Sequence, residues 1–368
     1  MRFRYATEEG GKLIKKAIVY TLDEHKINFS DVDNQAVYII QRLQSAGFET
    51  YIVGGAVRDL ILGKKPKDFD IVSSANPAKI KRIFRNSRII GRRFRLVHVY
   101  FGPKIFEVST FRSLGESYTG NAFGTIEEDV RRRDFSLNAL FYDPLKQIVI
   151  DYVGGMKDIQ NRIIKPVIPL SDIFIDDPVR MIRAAKYAAV ANFKIPFLLS
   201  RKIRKHSTLL ADISPSRLTE ELFKIINSPY AFEIIKTLDM LKIFSYIQPR
   251  AVELFKSKGG FKARYFKTML ALNREDSSRH PGEAFASLIR DYLEDLVDWD
   301  GKRTEERGIP LSERFKAAFI LARKFVLPIN PPRKEIYSAL RLLFSEHGVS
   351  VKGMRLSERP RPFGRKQK

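Results

Sequence analysis

The chain has 368 residues, no cysteine, and 66 Lys and Arg against 42 Asp and Glu, a formal charge of +24. Without thiols it forms neither disulfides nor thiolate metal sites, which fits a reducing, cytoplasmic setting. The cationic excess predicts a polyanionic partner, and no apolar run approaches the length of a membrane span.

Residues 1–34 read as a lead-in, poorly ordered or strand-bearing, with Asp31 and Asp33 placed to cap a helix starting near Asn34. Ala36, Ile39, Ile40 and Leu43 then recur at the spacing of one buried helical face. Strands are predicted at 50–53, 68–72, 97–101, 104–110, 138–142 and 147–152, with Gly102-Pro103 turning a hairpin. Alternating with helices, they make residues 35–160 an α/β unit built on a mixed sheet. Residues 112–124, polar and glycine-containing, read as a mobile loop. Beyond Gly154-Gly155 helical periodicity takes over, as in Leu218, Leu222, Ile225 and Ile226. This predicts all-α segments over 161–230 and 231–350. The stretch Lys352–Lys368 carries seven Lys and Arg, two Pro and two Gly; it cannot form a core, so a basic tail over 351–368 is expected to be disordered.

The most informative block is Tyr51 to Asp70, YIVGGAVRDLILGKKPKDFD. Alternate strand residues share a face, so Asp68 and Asp70 can hold one metal site. Gly54-Gly55 opens a helix whose free N–H groups suit phosphate. Together they are what metal-dependent phosphoryl or nucleotidyl transfer needs. Two further Asp-x-Asp triplets, at 31–33 and 298–300, read as a cap and an exposed loop or helix end. A third carboxylate is expected from Glu107, which alternates with apolar neighbours; its plainer reading is a solvated edge residue. Mg²⁺ suits such oxygen donors, and two ions could activate a hydroxyl and neutralise pyrophosphate.

Three more segments carry charge in a pattern. Arg131, Arg132 and Arg133 precede Asp134 and could clamp a triphosphate, because guanidinium binds phosphate bidentately; the plainer reading is a solvated run. Asp176-Asp177-Pro178 starts a helix bearing Arg180 and Arg183. A carboxylate beside a guanidinium matches the donor–acceptor edge of adenine and equally of cytosine, so Asp177 with Arg180 would admit ATP and CTP. Arg92, Arg93 and Arg95 lead into an apolar strand, as RNA or triphosphate contacts or as an exposed turn. His98 in that strand reads as packed.

Taken in order from about Ile39 to Ala189, these segments resemble the nucleotidyltransferases that comprise tRNA CCA-adding enzymes and bacterial poly(A) polymerases. The resemblance implies catalytic carboxylates at Asp68, Asp70 and Glu107, with Asp134 in an RRDF motif (Arg132–Phe135). It implies nucleotide contacts from Gly54, Gly55, Arg58, Arg133, Asn138, Asp177, Arg180 and Arg183. A nucleotidyltransferase head would be followed by an all-α neck and body that bind RNA. Ile89–Phe101 is similar to the poly(A) polymerase signature, which implies Mg²⁺-dependent addition of AMP from ATP to RNA 3′ ends. The loop 112–124 looks shorter than in those polymerases. CCA addition to tRNA is the alternative, and an idle RNA-binding protein of the same fold is the alternative from a different class.

Overall fold

Short apolar runs in the first half of the chain, several of them buried along their whole length, assemble into a nine-stranded sheet. The structure is a computed structural model that describes residues 2–7, 13–91, 95–113, 123–273, 282–301, 309–351, 353 and 354. Arg92, Arg93, loop residues 114–122 and nearly all of the tail lie outside the described residues, and so do the expectations placed on them. The chain divides into two compact units, Met1–Asp176 with Phe193–Leu199, and Asp177–Asn192 with Ser200–Lys368.

The first unit contains β1 (Arg2–Thr7), β2 (Leu13–Tyr20), β3 (Thr50–Val53), β4 (Asp70–Ser73), β5 (Ser87–Ile90), β6 (Leu96–Phe101), β7 (Lys104–Thr110), β8 (Leu140–Asp143) and β9 (Ile148–Asp151). Their order is β1-β2-β9-β8-β3-β4-β7-β6-β5. Among the described strands β4 and β7 form the one parallel pair, so the sheet is mixed as expected. Asp33 caps the helix Asn34–Ser45, its Oδ1 accepting from the N–H of Gln35 at 2.8 Å. Ala36, Ile39, Ile40 and Leu43 are all fully buried.

Three strand expectations need correction. β4 starts at Asp70 rather than 68, because its partner β3 ends at Val53, opposite Asp70, and leaves nothing for Asp68 to pair with. β8 starts at Leu140, since Ser136–Asn138 closes a 3-10 turn instead. β5 was not anticipated; a four-residue, half-buried edge strand leaves little periodicity to read.

One sheet face packs Tyr51, Val53, Val72, Phe111, Phe141 and Ile150 against Ile126 and Val130 of the helix Ile126–Arg131. Phe141 meets Tyr51 edge-on at 6.0 Å, and burying such a ring contributes about 2–3 kcal/mol. This core fixes the strands from which the charged site residues project.

The described part of the second unit is helical. Leu218, Leu222, Ile225 and Ile226 form the buried face of the helix Pro215–Ile226, as the spacing predicts. Aromatic stacking ties neighbouring helices: Phe223 on Phe285 at 6.1 Å and Tyr292 on Phe325 at 4.4 Å. Among the described residues no helix is long and apolar enough to cross a membrane.

Candidate active site

The site begins where β3 stops. Gly54 adopts φ 73°, ψ −137°, a conformation open essentially to glycine alone. A Cβ there would stand 3.5 Å from Asp70 Oδ2, so the turn lies directly against the carboxylate. The helix Gly55–Ile61 follows and presents Arg58, whose buried guanidinium lies over Gly55. Arg58 Nε donates to Asp59 Oδ1 at 2.9 Å, and Nη1 donates to Asn138 Oδ1 at 3.0 Å.

Phe69 is buried between exposed Asp68 and Asp70, so the in–out alternation holds although the ladder starts only at Asp70. The parallel register of β4 on β7 pairs Ile71 with Val108 and brings Asp70 beside Glu107. Glu107 faces His98 across β6, with His98 Nε2 at 3.4 Å from its Oε1. Asp70 is reached by solvent, yet surrounding protein strips part of its hydration, and the charges of Asp68 and Glu107 repel its own. These effects outweigh the pull of Arg133 and push its carboxyl up to about 6. Asp68 and Glu107 thus both sit in electrostatic reach of Asp70. Among the described residues, however, no three His, Cys, Asp or Glu side chains are gathered closely enough to form a ready-made metal cage.

Arg133 is not part of a solvated run. Its Nη2 donates to the buried Asp129 at 2.8 Å, its Nη1 donates to the carbonyl of Asn138 at 3.1 Å, and its guanidinium lies 5.0 Å from the Phe141 ring centroid. Asn138 therefore joins two arginines, accepting from Arg58 with its side chain and from Arg133 with its backbone. Arg132 donates to the Ser113 carbonyl, while Arg131 is exposed as the plainer reading has it. Asp134 is half-buried, and its carbonyl accepts from Val167 N–H at 3.2 Å. Arg95 is exposed just before β6.

The segment from Phe135 to Asn138 is supported from behind. Ser136 Oγ donates to Asp158 Oδ2 at 2.6 Å, and any Cβ on Gly155 would collide with the Ser136 carbonyl. Asp151 accepts the N–H groups of Val153, Gly154, Gly155 and Met156 at 2.8–3.0 Å, which fixes the start of the helix Gly155–Gln160. Gly155 is thus a point of close approach as well as the place where the pattern changes.

In the second unit Asp177 Oδ1 accepts from Val179 N–H at 3.1 Å, the expected cap. The helix proper runs Val179–Ala191, one residue later than the Pro178 start read from sequence. Asp177 Oδ2 also accepts from Arg217 Nη2 at 2.5 Å. Arg180 lies on the first turn, half-buried. Arg183 is drawn inward: Arg183 Nε, Lys186 Nζ and Lys224 Nζ surround the buried carboxylate of Glu221 at 3.3–3.5 Å. Burial opposes the charge of Glu221, but the three cations outweigh it and hold its pKa below the usual carboxylate range.

Residues 50–165 match the Poly A polymerase head domain, and residues 192–254 match a domain described as the probable RNA and SrmB-binding site of polymerase A. Poly(A) polymerase I of Salmonella typhi is 37% identical over 317 residues, covering 80% of this chain and 68% of that protein. The chain belongs to the poly(A) polymerase family. A CCA-adding enzyme of Geobacillus kaustophilus is 34% identical over 238 residues, 62% of this chain and 58% of that one. The crystal structure of the Bacillus stearothermophilus CCA-adding enzyme in complex with CTP aligns with a TM-score of 0.54 at 25% identity, over 84% of this chain and 82% of that one.

For this member of the poly(A) polymerase family, the first unit gathers Gly54, Gly55, Arg58, Asp68, Asp70, Glu107, Arg133 and Asn138 around one end of β4. Asp129, Asp151, Asp158, Arg217 and Glu221 escaped the sequence reading. They are ordinary acidic and basic residues at no diagnostic spacing, and folding alone gives them their partners.

Proposed function

We propose that this family member is a template-independent polynucleotide adenylyltransferase that adds AMP from ATP to RNA 3′ ends. The observation that carries the reading is the contact of Gly54 with Asp70, which sets a turn able to admit phosphate against the repelling carboxylates. The RNA 3′-hydroxyl attacks the α-phosphate in line, and pyrophosphate leaves.

Carboxylate oxygens are the donors Mg²⁺ prefers, and Mg²⁺ sites commonly rest on one or two carboxylates completed by water and substrate phosphate. The repulsion of Asp70 by Asp68 and Glu107 fits that habit, and these three residues would hold the ions. When bound, Mg²⁺ supplies activation of the attacking hydroxyl and neutralisation of the leaving pyrophosphate. Arg58 and Arg133, immobilised by Asp59, Asn138 and Asp129, present guanidinium groups to the triphosphate at little further entropic cost. Asp134 orients an arginine or bonds the ribose. Asp177 and Arg180 read the adenine edge; Arg217 fixes the Asp177 carboxylate, and Glu221 holds Arg183 on the same helix. Arg92, Arg93, Arg95 and the helical unit bind RNA through largely sequence-independent contacts, consistent with the charge of +24. Such an activity serves RNA polyadenylation and mRNA processing in the cytoplasm.

Incubation with a generic RNA oligonucleotide, Mg²⁺ and each NTP tests the reading: long A-tails are expected. The CCA-adding relatives and the shared edge of adenine and cytosine favour a second reading, CCA addition. Incorporation of C, C and A alone, on truncated tRNA alone, would establish it and sink the first. An idle RNA-binding protein would show no turnover in either wild type or Asp68→Ala.

A further inference from the structure

The sheet face that carries Asp70 is covered over only part of its width. Tyr51, Val53, Val72, Phe141 and Ile150 commit it to the core on β3, β4, β8 and β9. Toward the β5 edge it lies open. Directly opposed residues on neighbouring strands share a face, and the ladders oppose Arg88 to His98, His98 to Glu107 and Tyr100 to Ile105. With Ile71 beside Val108, Asp70 joins the same row, so Asp70, Glu107, His98 and Arg88 run across β4, β7, β6 and β5. The alternate residues Val97, Val99, Phe106 and Val108 are buried on the opposite face. On the Asp70 face Arg88, Ile105 and Glu107 are exposed, and His98 and Tyr100 are half-buried.

The open half offers rings, an apolar side chain and positive charge together. The His98 and Tyr100 rings meet edge-on at 6.3 Å, and Ile105, 52% exposed, lies opposite Tyr100. Arg88 makes no ion pair with a described residue. Residues 71–106 carry nine Lys and Arg and no Asp or Glu, so Glu107 is the only carboxylate that β5, β6 and β7 contribute. Rings for bases beside a cation for the backbone are what single-stranded RNA binds.

The flank also fits the chemistry. In-line transfer puts the attacking hydroxyl and the leaving pyrophosphate on opposite sides of phosphorus. Gly54 ends β3, and Arg58 and Arg133 are both bonded to Asn138 just before β8, which marks the pyrophosphate on the β3–β8 side of Asp70. The open face lies on the other side, across β7.

We propose that this open face of β5, β6 and β7 seats the last nucleotides of the RNA primer. Bases stack on His98, Tyr100 and Ile105, Arg88 holds a phosphodiester, and the terminal hydroxyl reaches Asp70 and Glu107 from the β6 side. The proposal rests on the adenylyl-transfer reading above and assigns that reaction's nucleophile a place in the head unit.

Two measurements test it. The double variant Arg88→Ala/Tyr100→Ala is expected to raise KM for the oligonucleotide about tenfold and to leave KM for ATP unchanged. An unchanged KM for RNA would overturn the proposal. Independently of turnover, wild type is irradiated with an oligonucleotide that carries 4-thiouridine at its 3′ end. Peptide mapping is expected to find the cross-link on His98 or Tyr100. A cross-link confined to residues outside β5, β6 and β7 overturns the proposal, and so does one abolished by ATP, which would give the face to the incoming nucleotide. If wild type tails RNA while these strands escape cross-linking, the assignment of the face fails and adenylyl transfer stands. If wild type tails no RNA, both fail.

Discussion

Asp70 in the sheet unit and Glu221 in the helical unit are both carboxylates crowded by protein, and their neighbours drive them in opposite directions. Lost hydration and the charges of Asp68 and Glu107 push Asp70 up to about 6 against the single pull of Arg133. Burial works on Glu221 too, but Lys186, Lys224 and Arg183 more than compensate it and its pKa falls. Glu221 has its counter-ions supplied by the fold and acts as a joint between helices Val179–Ala191 and Pro215–Ile226. Asp70 does not, and its unmet charge is held ready for a cation and phosphate from outside. One carboxylate contributes to architecture at no cost to function; the other contributes to function at some cost to stability.

The largest effect that sharpens this contrast is chemical. Asp70→Asn keeps the shape but removes a charge needed in the transition state, so turnover of ATP into RNA tails should drop about 10³-fold or more. Retained activity would break the comparison at its functional end. Next, Glu221→Ala leaves Lys186 and Arg183 without their buried partner, and urea denaturation should show a loss of about 3 kcal/mol. A loss under about 1 kcal/mol would place Glu221 with ordinary surface ion pairs.

A smaller effect is expected at the turn. Gly54→Ala forces a Cβ onto a backbone conformation of positive φ and sets it against Asp70, at a strain of about 1–3 kcal/mol. Both the thermal midpoint and kcat should fall, and a loss of stability alone would detach the turn from the chemistry. The smallest effect is on pH dependence without added cation. Between the ordinary carboxylate range near 4 and the folded value of about 6, the folded protein holds a proton on Asp70 that the unfolded chain has released. Asp70's contribution to stability therefore falls as pH rises through that window and stays at its lowest above it. For so exposed a group, solvent screening reduces the change to a fraction of a kcal/mol. Asp70→Asn should flatten that slope and melt no lower than wild type at neutral pH, which differential scanning calorimetry can read.

Much of the head unit was legible before folding. The bounds of β3 and β7, the helix after Asp33 and its four buried apolar positions follow from local periodicity and capping, which act over a few residues. Asp68 and Asp70 were conspicuous because the glycine pair and the strand pattern stand close to them in sequence. The start of β4 was misplaced because a ladder ends where its partner does, and the partner's end at Gly54 is a fact of pairing. Arg133 was ambiguous for a related reason: a basic run and a phosphate clamp share a composition, and only the buried Asp129 and the Phe141 ring separate them.

Residue order thus settles chemistry that depends on near neighbours: oxygen donors two residues apart, a glycine that tolerates positive φ, a carboxylate that caps its own helix, and a net charge that selects a polyanion. It cannot settle which distant charges meet, because pairing energies depend on separation in space and on the water excluded between partners. The meeting of Gly54 with Asp70, the bridge of Asn138 between Arg58 and Arg133, the enclosure of Glu221 and the open sheet face beside Glu107 exist only once the sheet and helices have closed around them.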